Sequence, residues 1–270
     1  MPRKLLFLFA IALCVPAALV GQTEVERAWT ILNQGVADPN DSSREQAVHA
    51  LGLLVRDERA RRLAESSLAD PSPDVRAAAA TSLGQIGLGA SIPKLQEAIK
   101  DSESEVVFSA TSALFVLGDP SAYQIYYAVL TGQRKSGDAL LESQLEMLKD
   151  PQALARIGFE AGMGFVPFGG AGYKMVKAFT QDKVSPVRAA AAQRLATDPD
   201  PKSGEALAKA ASDEKWLVRA SAVSAIAKRG DPKLLSALLP LLGDEEATVR
   251  FTAAAAVVHL SGQKRNAGSF

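Results

Sequence analysis

Apolar positions along this chain recur at helical spacing and are interrupted at regular intervals. Over 24–36 they fall at Val25, Ala28, Ile31, Leu32 and Val36, the rhythm of one buried helix face. Asp38-Pro39-Asn40-Asp41 breaks that rhythm, and 43–54 resumes it with Ala47, Ala50, Leu51 and Leu54 on one side. The same alternation predicts helices over 59–68, 74–86, 92–99, 105–117 and 122–130. Beyond a long gap it predicts further helices over 204–211, 217–228, 232–242 and 248–260. Asp-Pro pairs at Asp38-Pro39, Asp70-Pro71, Asp119-Pro120, Asp150-Pro151 and Asp231-Pro232 fall where helices are due to start. Proline disfavours helix at the preceding residue and is tolerated in a first turn. Gly52, Gly84, Gly118 and Gly230 are expected as left-handed stops at the ends of second helices.

The units repeat. Asp70-Pro-Ser-Pro-Asp-Val75-Arg76-Ala-Ala-Ala-Ala80 is echoed by Asp182…Val187-Arg188, Asp213…Val218-Arg219 and Asp244…Val249-Arg250. Weaker copies lie at Asp38…Arg44 and Asp101…Val107. Each Asp stands six residues before its Arg position, and the Arg positions recur roughly every thirty-one residues with one long gap. A fixed period of that size is the mark of a solenoid, whose units bury their apolar faces against neighbours. An Arg fork is suited to bridging a carboxylate on its own unit and one on the next. The runs Ala77–Ala80, Ala189–Ala192 and Ala253–Ala256 favour helix and let second helices approach closely.

The Asp and Arg positions resemble those of the HEAT repeat family. The resemblance implies an internal ladder in which Asp38, Asp70, Asp101, Asp182, Asp213 and Asp244 meet Arg44, Arg76, Arg188, Arg219 and Arg250 across neighbouring units. Val107 departs from the pattern. The array is also similar to the HEAT-like repeats of phycobilisome lyases. The fold expected is an all-α HEAT-repeat α-solenoid of about seven antiparallel helix pairs.

The long gap holds an expected helix over 138–148 and about nineteen residues beyond the period. The stretch 157–173 is apolar, rich in glycine and nearly uncharged. Its glycines and Pro167 exclude a stable helix through its middle. Phe159, Phe165, Phe168 and Tyr173 make it the candidate partner-binding segment. Membrane contact through it is the weaker alternative, because no cations flank it to hold anionic lipid. The chain therefore divides into a signal segment 1–21, N-terminal repeats 22–150, an insertion 151–181, C-terminal repeats 182–262 and a loose tail 263–270.

Composition narrows the function. The chain has 270 residues, 47% hydrophobic and 6% aromatic, with a formal net charge of +0. No basic field suited to nucleic acid accompanies that balance. Arg3-Lys4 followed by the apolar run 5–20 has the form of a secretory signal, with cleavage expected after Gly21. Cys14 is the single cysteine, so a chain starting at Gln22 has no disulfide, thiol nucleophile or cysteine metal site. The glycine clusters at 162–172 lack the preceding strand and the Lys-Ser/Thr of a phosphate loop. The two histidines, His49 and His259, are expected at opposite ends of the array as surface or half-packed residues. No catalytic residue, metal site or cofactor is expected. The function expected is an exported, non-enzymatic scaffold for a protein partner in the periplasm or cell envelope. An enzyme accessory protein or lyase of the phycobilisome-lyase type is the alternative.

Overall fold

The computed structural model describes residues 17–131 and 184–267. Every element among them is helical, and the architecture is an α-solenoid. The first half comprises α1 (Ala17–Val36), α2 (Asp41–Leu51), α3 (Glu58–Ser67), α4 (Pro73–Ile86), α5 (Ile92–Ala98), α6 (Ser104–Val116) and α7 (Pro120–Thr131). The second comprises α8 (Ser185–Leu195), α9 (Pro201–Ala210), α10 (Trp216–Arg229), α11 (Leu235–Leu238) and α12 (Ala247–Ala267). Helix starts are chemically marked. Asn40 accepts from the Ser43 amide at 3.0 Å. Asp57 accepts from the Arg59 and Ala60 amides at 2.8 Å each, satisfying donors that the first turn leaves open.

Within each half, second helices stack on second helices: α2 on α4 and α4 on α6, then α8 on α10 and α10 on α12. The two halves do not follow one another in chain order. Helix α12, the last in the chain, packs on α1 and α2, the first. The succession of second helices is thus α8, α10, α12, α2, α4, α6. One apolar core follows it, from Ala192 and Ile226 through Val257 to Leu51, Leu83 and Leu114. Alanines of the repeated runs line this core, with Ala80, Ala189 and Ala192 in it and Ala253 to Ala256 fully buried. Small side chains bring the helix backbones close.

Four local expectations are corrected. Gly84 is no stop. It sits inside α4, where a Cβ would lie 2.9 Å from the Ala113 Cα of α6, so its role is close approach between stacked helices. The left-handed stop of α4 is Gly87, at φ 75°. Gly52 has right-handed backbone, at φ −59°, whereas Gly118 and Gly230 are left-handed, at φ 76° and 70°. The helix expected over 232–242 is broken into a 3-10 turn Pro232–Leu234, the short α11 and a second 3-10 turn Leu239–Gly243. Pro240 has no amide to continue the helix, and its ring opposes the preceding turn. The tail expected to be loose from residue 263 is instead helical through Ala267. No proline or glycine follows Gly262 before that point, and Gln263 Nε2 meets His259 Nε2 at 2.8 Å across one turn.

Candidate protein-binding surface

The repeated acid and base form rungs of one construction. Arg44 Nε and Nη2 donate to the two carboxylate oxygens of Asp70 at 2.8 Å each. Arg44 Nη1 donates to the Asp38 and Pro39 carbonyls of its own turn. Arg76 reaches Asp101 at 2.7 and 2.9 Å and the Asp70 and Pro71 carbonyls. Arg219 reaches Asp244 and the Asp213 and Glu214 carbonyls. Arg188 donates through Nη2 to Asp213. The fork therefore joins the next unit's carboxylate to its own unit's backbone. It does not join two carboxylates, because Asp70, Asp101, Asp213 and Asp244 are taken up by the preceding unit's arginine and by their own loops. There Asp38, Asp70, Asp101, Asp213 and Asp244 each accept the amide two residues on. Each closed rung fixes two turns at once. Hydrogen bonding from Arg44 holds Asp70 below the usual carboxylate range, against burial, which opposes it. Arg76 does the same for Asp101.

Two members of the predicted ladder, Arg250 and Asp38, stand apart, beside the departure already expected at Val107. Val107 is fully buried. Arg250 donates to the Asp244 and Glu245 carbonyls of its own turn. Among the described residues it meets no carboxylate, and no guanidinium is hydrogen-bonded to the Asp38 carboxylate, although Arg44 holds the Asp38 carbonyl. These are the two halves of a rung that is not made where α12 meets α1 and α2. Asp182 lies outside the described residues, as do Phe159, Phe165, Phe168 and Tyr173 of the candidate partner-binding segment.

The histidines differ from expectation. His49 is buried in α2, and burial pushes its imidazole down to about 4. His259 is half-buried and is pushed down by burial as well. They are not at opposite ends of the array, since α2 and α12 pack together. Among the described residues no group of acids, histidines and cysteines is suited to hold a metal ion. No described helix is long and apolar enough to cross a membrane.

The exposed apolar surface gathers elsewhere. Phe115 and Val116 at the end of α6, and Tyr123 on α7, are 45%, 68% and 58% exposed. The Phe115 ring lies 5.0 Å from that of Tyr123 and 5.6 Å from that of Tyr126. The Tyr126 hydroxyl shares a hydrogen bond with Ser112 Oγ at 2.8 Å, which anchors the cluster to α6. At the other end of the succession, Val187 on α8 is 68% exposed, while its repeat equivalents Val75, Val106, Val218 and Val249 are buried. Large exposed apolar patches of this kind mark contact surfaces. Sequence reasoning passed over the α6–α7 cluster. The signal was present, because three of the chain's four tyrosines, Tyr123, Tyr126 and Tyr127, fall within five consecutive residues.

The family model for HEAT repeats matches residues 30–115 and 174–258, more than half of the chain. The chain belongs to the HEAT repeat family. As a HEAT repeat protein it is similar in architecture to several solved structures. The complex of CpcE and CpcF of phycocyanin lyase from Nostoc sp. PCC7120 matches at 18% identity and a TM-score of 0.34, covering 95% of this chain and 100% of that one. Human deoxyhypusine hydroxylase in complex with glycerol matches at 19% and 0.32, covering 91% and 96%. A designed armadillo repeat protein matches at 15% and 0.26, covering 88% and 98%. None of these likenesses bears on what this HEAT repeat protein does. Comparison with the curated proteins finds no match.

Proposed function

We propose that this HEAT repeat protein is an exported, non-enzymatic scaffold that binds an apolar segment of another protein through the α6–α7 aromatic surface. The observation that carries the reading is the exposed Phe115–Tyr123 pair beside Val116. Aromatic rings provide large contact area with few rotamers to freeze, and they are enriched in interface centres. A rigid array of rungs and buried alanines positions that surface without further ordering. Export rests on Arg3-Lys4 and the apolar run 5–20, and it places the partner in the periplasm or envelope. The apolar stretch 157–173 is proposed as a second contact to the same partner.

The test uses the chain from Gln22 as bait in an envelope extract, followed by reconstitution of any captured pair from purified components. The purified chain is also screened for turnover. A saturable one-to-one complex without turnover supports the scaffold. Turnover of a small molecule by the chain alone contradicts it.

A further inference from the structure

The second half of the chain sits against the first through α12, out of chain order. The principal contacts between halves are those of α12 with α1 and α2, joined by the 3-10 turn Leu239–Gly243 on α1. This joint is built unlike the others. The other described stacking steps of the repeats after Arg44, Arg76, Arg188 and Arg219 each carry an Arg–Asp rung, and here Arg250 and Asp38 leave it unmade. In its place a ring enters a notch. A Cβ on Gly35 would lie 2.4 Å from Phe251 Cε1 and 2.7 Å from the Ala47 Cβ, so only glycine leaves room for the ring. Beside it, Thr248 Oγ1 donates to Gln46 Oε1 at 2.9 Å in a buried hydrogen bond.

We propose that this seat is an exchangeable joint, in which α12 of one copy docks on α1 and α2 of a second copy, giving a reciprocal dimer. The contact is built from a packed ring, a glycine notch and one buried hydrogen bond, and among the described residues no rung crosses it. Its two faces belong to segments separated by residues 132–183. The two faces are far apart in sequence, and every copy of the chain carries both of them. Exchange of an identical element reuses every native contact and creates none that is new. Which form prevails follows the balance between protein concentration and the effective concentration of the tethered half.

Two variants decide it. Gly35→Trp fills the notch and spoils the first-half face, while Phe251→Asp spoils the α12 face. Mixed, the intact α12 of the first variant meets the intact α1–α2 of the second. Native mass spectrometry is expected to find a one-to-one heterodimer that neither variant forms alone. Two separate monomers in the mixture, with each variant retaining its helical circular dichroism, overturn the proposal. A trap that leaves the notch intact guards against misfolding. Gln46→Cys with Thr248→Cys, in a Cys14→Ser background, is joined by a short bis-maleimide after refolding at rising concentration. Covalent dimers whose share grows with concentration support exchange. Internally linked monomers alone, up to about 1 mM where tethered and free halves compete evenly, contradict it.

Discussion

The guanidinium of Arg219 grips both carboxylate oxygens of Asp244, twenty-five residues further on, at 2.8 Å each. Its third nitrogen holds the Asp213 and Glu214 carbonyls. The two side chains are only 11% and 7% exposed. Removing one partner leaves the other charge sequestered, a loss typical of buried pairs. Arg219→Ala is expected to lower stability in urea melts by about 3 kcal/mol. Arg250→Ala removes the bonds to its own turn and a contact 5.3 Å over the Phe251 ring, at a joint with no rung, and is expected to cost about 1 kcal/mol. Equal losses for the two variants would show that the rung adds nothing beyond the turn.

His49 sets a pH window. Its folded value of about 4 lies below the ordinary 6.5, so the unfolded chain binds the proton first as pH falls. The contribution is full above about pH 6.5 and is lost progressively down to about pH 4, amounting to about 3 kcal/mol. Asp70 and Asp101, held low by their arginines, lose their contributions only below the ordinary carboxylate value as the folded groups protonate. His49→Gln is expected to reduce the stability slope between pH 4 and 6.5, leaving the contribution of His259, which burial also pushes down, and to leave the acid limb unchanged. A slope in this variant as steep as that of the parent chain assigns the window to other groups.

Gly84→Ala tests the close approach of α4 and α6. Alanine favours a helix over glycine by about 1 kcal/mol, so an exposed site would gain. Here the new methyl meets the Ala113 backbone of α6, and overpacking costs about 1–3 kcal/mol. A net loss in chemical denaturation is expected. A gain would place the two helices farther apart than the structure has them.

Much of this architecture was legible in the residues, and the reasons are local. The Asp-to-Arg spacing is a property of one turn and one helix start, so it is visible wherever the turn recurs. Asp-Pro pairs mark helix starts by steric exclusion, again within a few residues. Gly84 misled because a glycine near a helix end serves either as a stop or as a gap for a neighbour, and only the neighbour's position decides. The α12 joint was illegible for a deeper reason. A repeat period says that units stack, but Gly35 and Phe251 carry no mark that pairs the first unit with the last. The candidate surface fell between these cases, since the crowding of Tyr123, Tyr126 and Tyr127 was on the page but interrupted no periodic pattern.

Export predicts a defined N-terminus. Mass spectrometry of the protein recovered from its native compartment should begin at Gln22. Intact Met1 in a soluble cytoplasmic fraction would contradict export and move the partner to another compartment.

The central claim is that the α6–α7 aromatic surface binds a partner. The most direct measurement pairs stability with capture in a Phe115→Ser, Tyr123→Ser variant. Both rings are about half exposed, so their burial in the free chain stabilises it only partly. The account predicts a urea midpoint close to that of the parent chain, with partner affinity at least tenfold weaker. A variant that loses several kcal/mol of stability and still binds its partner with parental affinity would contradict the account, and would assign the rings to packing within the chain.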